Sequence, residues 1–492
     1  MKTFCGIDLG TQSCKTILYD YEKKKIIESS QIPIDMISAN DGTREQKAEW
    51  YREALKSAFG KLNKTAKNSI AALGVSGQQH GFVALDAKGK PLYNVKLWCD
   101  TSTREECEEL TKAAGGEAAL IKTAGLPMRP GYTAPKVLWL KKHKPKAFAR
   151  LAHMLLPHDY VNFLLTGNYS AEYGDASGTA LFDVRKRRWS EKVCLYIDPL
   201  VYKSLPPLIV PGHAAGTVSA AAAKEFGIPE GALVAAGGGD NMMGAIGTGT
   251  VRDGFLTMSL GTSGTLFGFA DKPVIDPTGN LAAFCSSSGG WLPLLCTMNC
   301  TVASEEFRGL FGMDVKFFDA EAAKAPIGAE GVTVLPFFNG ERTPNLPAGK
   351  ASVNGITGAN LKIQNIARAA LESAIFGMRI GLESFNRPGF RAREIRLTGG
   401  GSKSPLWQSI AANVMNLPVR VPANSEAAAL GAVVQAIWTF EGGRKALETL
   451  TDEHIALEGG AVVKPDPKSV KAYNKAYEEY SRYLGALGPL YK

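Results

Sequence analysis

The chain has 492 residues, 45% of them hydrophobic and 21% charged, with a formal net charge of +9. That length exceeds one ordinary domain and the composition builds a sizeable core, so two large globular domains are expected. The charge is modest and no Lys/Arg block alternates with aromatics, which argues against nucleic-acid binding and suits anionic small-molecule ligands.

No apolar stretch is long enough to span a bilayer and no signal peptide is evident, so a cytoplasmic, membrane-free protein is expected. Eight scattered cysteines form no CxxC pair and read as reduced, buried thiols; Cys5 and Cys14 flank the first turn.

Residues 4–20 read FCGIDLGTQSCKTILYD, a hairpin pattern. Cys5, Ile7 and Leu9 alternate with Phe4, Gly6 and Asp8, then Gly10, Thr11, Gln12 and Ser13 turn the chain back. Residues 49–62 carry helical periodicity, with Trp50, Ala54, Leu55, Ala58, Phe59 and Leu62 on one face. Three short strands follow. Residues 71–76 end at Gly77-Gln78-Gln79-His80-Gly81, 95–98 end at Cys99-Asp100, and 233–236 open onto Gly237-Gly238-Gly239-Asp240-Asn241. Polar residues just past strand ends are where open α/β sheets place their ligands. Residues 250–254 are the expected crossing between two halves. Residues 255–271, FLTMSLGTSGTLFGFAD, then repeat the first hairpin, with Gly261, Thr262 and Ser263 in the turn and Ser259 in the place of Asp8. The 336–344 loop is polar, with Glu341 and Arg342 a candidate ion pair. Residues 363–385 form a long amphipathic helix with Ile363, Ile366, Ala370, Ala374, Met378 and Leu382 in step. A strand at 395–398 leads into Gly399-Gly400-Gly401-Ser402 and a helix through 407–415.

Two hairpins with the same internal spacing are candidate phosphate grips, because glycine lets backbone approach closely and a tight turn aims successive amides at an anion. Gly10, Thr11, Gln12, Ser13, Gly261, Thr262 and Ser263 are the expected donors, with Lys15 a cation beside the first turn. Neither GxxxxGK[ST] nor a clean GxGxxG occurs, so a Walker loop and a dinucleotide fingerprint are excluded. Asp8, at the buried end of a strand, must be paired or lie near a metal. Mg²⁺, held by one or two carboxylates plus phosphates, suits it. Asp240 on its glycine-rich corner is the candidate general base for phosphoryl transfer to a hydroxyl, with helix capping as the competing role. Asn241 is a candidate substrate contact beside it. Gln79 and His80 offer donors and acceptors to a polyhydroxylated ligand. Asp100 follows Trp98 by two residues, a carboxylate beside an aromatic face as in many sugar sites. Gly400, Gly401 and Ser402 would cradle the adenosine side of a nucleotide.

Together these segments resemble the FGGY carbohydrate kinases. The resemblance covers nearly the whole chain: GIDLGTQSCK at 6–15, VSGQQHG at 75–81, LWCD at 97–100, GYTAPKVLWL at 131–140, LLPHDYVNFLLTG at 155–167, GDASGTALFDV at 174–184, GGGDNMMGA at 237–245, SLGTSG at 259–264, PFFNGERTP at 336–344 and TGGGSKSPLWQ at 398–408. It implies an α/β fold of two actin-like ATPase (ribonuclease-H-like) domains around a central cleft, expected here at 1–245 and 246–492. It implies ATP and Mg²⁺, with Asp240 as the catalytic base, Asp8 as the acid of the metal and phosphate site, and Gln79-His80 as the pair that contacts the sugar. In the members most alike, that sugar is D-xylulose, converted to D-xylulose 5-phosphate. Two positions depart from the pattern: Ser102 stands where many relatives carry arginine, and Gln79 where some carry methionine. The competing readings are a kinase for ribulose or glycerol and an actin-like nucleotide switch, which would lack an acceptor site. A homodimer is compatible with the resemblance; neither nucleic acid nor membrane is an expected partner.

Overall fold

The computed structural model describes residues 2–458 and 462–491. The chain forms two compact units. The first takes Met1–Arg252, Phe269–Pro293 and Glu426–Ile455; the second takes Asp253–Gly268, Leu294–Ser425 and Ala456–Lys492. The first passage between them falls inside the 250–254 segment. A single cut at 245/246 does not describe the units: position 245 lies within the Asp240–Thr248 helix, and the first unit takes back two later segments.

The first unit is built on a seven-stranded sheet. Its strands run in the order Ala214–Thr217, Leu233–Ala235, Ile70–Gly77, Thr3–Leu9, Ser13–Asp20, Lys25–Pro33, and Gly238–Gly239 also pairs with Ile70–Gly77. Thr3–Leu9 and Ile70–Gly77 are buried almost throughout, because helices cover both faces. Cys5, Ile7, Leu9, Leu73 and Val75 share a core with Tyr51, Leu55 and Phe59 of the Ala48–Lys61 helix. The helix is one position out of phase with the expected stripe at its start. Tyr51 is fully buried and donates to Gln46 Oε1 at 2.9 Å, whereas Trp50 stays partly exposed beside the Lys47 ammonium.

On the other face the alternating residues are Gly6 and Gly74. The Ala427–Phe440 helix passes so close that a Cβ on Gly6 would lie 2.1 Å from Ala429 O, and one on Gly74 2.0 Å from Ala432 O. The same helix meets the Asp240–Thr248 helix backbone to backbone: a Cβ on Gly247 would be 1.8 Å from Ala427 O, and one on Gly431 1.8 Å from Met243 O.

The second unit repeats the central pairing scheme. In the first unit Lys25–Pro33, Ser13–Asp20, Thr3–Leu9, Ile70–Gly77 and Leu233–Ala235 pair antiparallel, antiparallel, parallel and parallel. In the second, the 294–297 part of Trp291–Thr297, then Gly264–Gly268, Phe255–Leu260, Glu394–Thr398 and Val419–Arg420 pair in the same sequence of senses. The duplication seen in the two hairpins therefore extends to five strands. The long helix spans Ile363–Asn386; its buried stripe holds Ala370, Ala374, Met378 and Leu382, while Ile363 is 42% exposed. Glu341 is not paired with Arg342. Its carboxylate accepts from the backbone amides of Met298, Asn299, Arg342 and Thr343 and so knits two loops. Among the described residues no helix is long and apolar enough to cross a membrane.

The glycine contacts predict a sharp difference between two substitutions in the first unit. Gly431→Val places side-chain carbon where the Met243 carbonyl already sits and should destabilise the unit by about 3 kcal/mol or more. Gly60→Ala, in the Ala48–Lys61 helix with nothing within 4 Å of its new Cβ, should leave stability unchanged or raise it by about 0.5–1 kcal/mol. Equal thermal midpoints for the two variants would contradict the close approach.

Candidate active site

Strand register brings three polar residues of the first unit to one end of its sheet. Asp8 is opposite Ser76 across one parallel pairing, and Ser76 is opposite Gly238 across another. Two strand spacings place the backbones of residues 8 and 238 about 10 Å apart. Asp240 follows two residues later as the first residue of the Asp240–Thr248 helix. Gly239 is the capping residue, so Asp240 is not the N-cap.

All three glycines before Asp240 are set by close approach. Gly237 has φ +79° and leaves a Cβ only 2.7 Å from Val75 O; at Gly238 a Cβ would be 2.4 Å from Ser287 Oγ, and at Gly239 2.7 Å from Gln79 Cγ. The space is thus filled by the protein itself, and the result is a tightly located carboxylate. Asp240 Oδ1 accepts from the Asn241 amide at 2.8 Å and from Asn241 Nδ2 at 3.0 Å. Asn241 Nδ2 also donates to Gln79 Oε1 at 2.9 Å, so Asp240, Asn241 and Gln79 form one chain of contacts. Among the described residues Asp240 Oδ2 has no hydrogen-bond donor. Loss of surrounding water pushes the Asp240 carboxyl up to about 7; the negative Asp8 and Asp175 add to the rise, and the Asn241 bonds oppose it.

Asp8 is partly exposed and accepts from Ser76 Oγ at 2.8 Å. Its carboxyl is raised chiefly by desolvation, with Ser76 lowering it, Glu426 raising it and Lys15 lowering it. A divalent cation near Asp8 would offset this crowding of negative charge. Among the described residues there is no group of three or more metal-ligating side chains.

A buried ionic network supports this corner. His158 Nδ1 lies 2.9 Å from Asp175 Oδ2 and its Nε2 2.9 Å from Asp159 Oδ1, all three side chains being essentially inaccessible. Burial alone would push the imidazole down, but the two carboxylates outweigh it and hold His158 well above its ordinary value, as an imidazolium. Glu172 in turn accepts from the amides of Gly174 and Asp175. A Cβ on Gly239 would be 3.1 Å from Asp175 Oδ1, which places this network beside the residue that precedes Asp240. Sequence reasoning did not single out His158, Asp159, Glu172 or Asp175. The signal was a histidine and acids inside otherwise apolar segments.

The other expected site residues divide into two groups. His80 stands at the exit of Ile70–Gly77 with a φ of +64° and its ring between Tyr132 and Phe284. Asp100 is fully buried and spent internally. Oδ1 accepts from the amide and hydroxyl of Ser102, and Oδ2 from the Arg44 amide and the Lys96 ammonium. Ser102 thus serves to hold Asp100. In the first turn Gly10 N–H donates to Ser13 O, Gln12 O accepts from Ile34 N–H, and Ser13 Oγ accepts from Gln31. The Thr11 hydroxyl donates to Gln78 Oε1 at 3.0 Å and accepts from Trp98 Nε1 at 2.9 Å. Lys15 is ion-paired to Glu426 at 2.5 Å. The second turn, in the other unit, is more open: Thr262 and Ser263 are exposed beside Gly261, whose carbonyl and that of Thr262 accept from Thr301 and Cys300. There too, Gly400 is open, while Gly401 packs on the Trp407 ring and Ser402 Oγ donates to Gly399 O.

Known proteins agree with these features. Residues 3–247 match the model of the N-terminal domain of the FGGY family of carbohydrate kinases, and residues 256–440 match that of its C-terminal domain. A xylulose kinase of Haemophilus influenzae is 43% identical, over 98% of this chain and 100% of its own. Among solved structures, a xyloylose kinase from Brucella ovis superposes with a TM-score of 0.91 at 30% identity, covering 99% of this chain and 100% of that one. A gluconate kinase from Lactobacillus acidophilus superposes with a TM-score of 0.92 at 23% identity, covering 100% and 99%, a likeness of fold alone. With both family domains matched in order, and a site end built around Asp8 and Asp240, the chain belongs to the FGGY family of carbohydrate kinases.

Proposed function

We propose that this chain phosphorylates D-xylulose at its terminal hydroxyl with ATP, giving D-xylulose 5-phosphate. The observation that carries the reading is Asp240: a desolvated carboxylate, fixed by backbone, with one oxygen held by Asn241 and the other open. The 43% identity to a xylulose kinase over nearly full length supports the choice of sugar.

The roles follow from chemistry. Asp240 accepts the proton of the attacking hydroxyl, as phosphoryl transfer to an alcohol requires. Asn241 and Gln79 orient the sugar beside it, with His80 at the rim. The exposed turn at Gly261, Thr262 and Ser263 and the open Gly400 are the natural phosphate and nucleotide contacts of the second unit. In the first unit, Thr11 and Lys15 act by shaping the turn, since their polar atoms are engaged with Gln78, Trp98 and Glu426. Asp8 would hold Mg²⁺ with the phosphates; that ion would neutralise charge on the nucleotide. Most of the rate then comes from in-line placement of hydroxyl and phosphoryl group.

Three outcomes are expected. In a coupled ADP-release assay D-xylulose should outpace D-ribulose, glycerol and gluconate; equal rates with every acceptor and with none would contradict the proposal. Asp240→Asn should lower kcat by about two orders of magnitude or more while sugar binding, read by calorimetry, stays near wild type. The pH profile follows from the raised carboxyl. Below about 7 the Asp240 carboxyl is protonated and accepts no proton, so kcat/KM for sugar should fall about tenfold per pH unit on the acid side and level off above about 7. A kcat/KM that stays flat down to pH 5 would remove Asp240 as the base.

A further inference from the structure

His80 adopts a backbone conformation that side-chain-bearing residues rarely take, with φ at +64°. Such a conformation persists only where its surroundings over-determine it. The surroundings are explicit. The Lys136 side chain is completely buried, and its Nζ donates to His80 O at 2.7 Å and to Gly131 O at 2.8 Å. The Thr133 hydroxyl donates to the same His80 carbonyl at 3.2 Å. Lys136 and Thr133 lie on the Thr133–His143 helix, whose Ala134 amide donates to Thr179 O. Thr179 adjoins Gly178, which faces the other side of the His80 ring: a Cβ there would be 2.5 Å from Cε1 and 2.7 Å from Nδ1. Tyr132 and Phe284 flank the ring at centroid distances of 5.0 and 5.6 Å.

We infer that Lys136 is a positioning residue for sugar recognition: its amine pins the His80 carbonyl, and the Gly178 backbone sets the ring, so that the imidazole is presented in one orientation to the acceptor sugar. A completely buried lysine is uncommon, and a hydrocarbon side chain would fill the same space at less desolvation cost. Burial pushes the Lys136 amine down to about 7, so its role is that of a hydrogen-bond donor to two carbonyls rather than of a fixed charge. Neutral or charged, it donates to both.

The inference rests on the D-xylulose reading for its kinetic test and on His80 geometry for an independent one. Lys136→Met keeps the volume and removes the donor. Gly178→Ala leaves Lys136 in place and displaces the ring. Each variant is first checked for a wild-type thermal midpoint. Both should raise KM for D-xylulose about tenfold to a hundredfold, as expected for a misplacement near 1 Å, with KM for ATP within about twofold of wild type. Both should also shift the His80 imidazole resonance, assigned with His80→Gln, in the ligand-free protein. Unchanged sugar KM and unchanged His80 resonance in folded Lys136→Met and Gly178→Ala proteins would overturn the inference. If Lys136→Met does not fold, Lys136→Gln, whose shorter side chain carries no donor to the position of the Lys136 amine, decides by the same two readouts. If wild-type protein does not phosphorylate D-xylulose, the functional proposal fails, and the His80 resonance alone decides whether Lys136 positions that ring.

Discussion

The placement of Asp240 depends on backbones touching backbones. Gly247 and Gly431 let two helices meet at the distance of a carbonyl contact, and Gly6 and Gly74 seat one of them on the sheet. At the head of the Asp240–Thr248 helix, Gly237, Gly238 and Gly239 thread between Val75, Ser287 and Gln79 with no room for a Cβ. A side chain at any of these positions would push the helix, and Asp240 with it. Backbone contacts have few soft degrees of freedom, so they fix a catalytic group more closely than long side chains do. The helix that completes this arrangement, Ala427–Phe440, comes from late in the chain, which is why the first unit is discontinuous in sequence.

The same crowding sets the electrostatics. Asp8 and Asp175 both raise the Asp240 carboxyl, and each of the three is balanced differently. Asp175 is compensated by the buried His158 imidazolium and becomes structural. Asp8 has a hydroxyl partner and a partly open edge, which suits a cation and phosphates. Among the described residues Asp240 is hydrogen-bonded only by the neutral Asn241, and loss of water pushes its carboxyl up to about 7. Environment, more than residue type, separates the three aspartates: one paired with a buried imidazolium, one partly exposed beside a hydroxyl, and one desolvated with a single oxygen held by Asn241.

Much of this was legible in the sequence. The two hairpins, the strand exits at Gly77 and Gly399, the long helix and the family resemblance are local patterns, and local patterns survive in one dimension. The five-strand equivalence between the units was only hinted at by the hairpins, because parallel neighbours such as Ile70–Gly77 and Glu394–Thr398 are far apart in sequence from the strands they join. What was illegible is mostly a matter of long-range partners. Asp100 looked like a sugar ligand because a carboxylate followed a tryptophan; only the fold shows both its oxygens taken by Arg44, Lys96 and Ser102. Lys15 looked like a phosphate cation until the distant Glu426 came beside it. Lys136 and His158 were quoted inside matching motifs without a task, since nothing in sequence says which carbonyl or carboxylate a buried donor will find.

The central claim is that Asp240 is a desolvated carboxylate crowded by other acids, and its titration tests that most directly. Carbon-13 carboxyl resonances of the ligand-free protein, with Asp240 assigned through Asp240→Asn, should show a midpoint near 7 that moves down when Asp8→Asn removes one neighbouring negative charge. A midpoint at the ordinary aspartate value of about 4, unmoved by Asp8→Asn, would contradict the account.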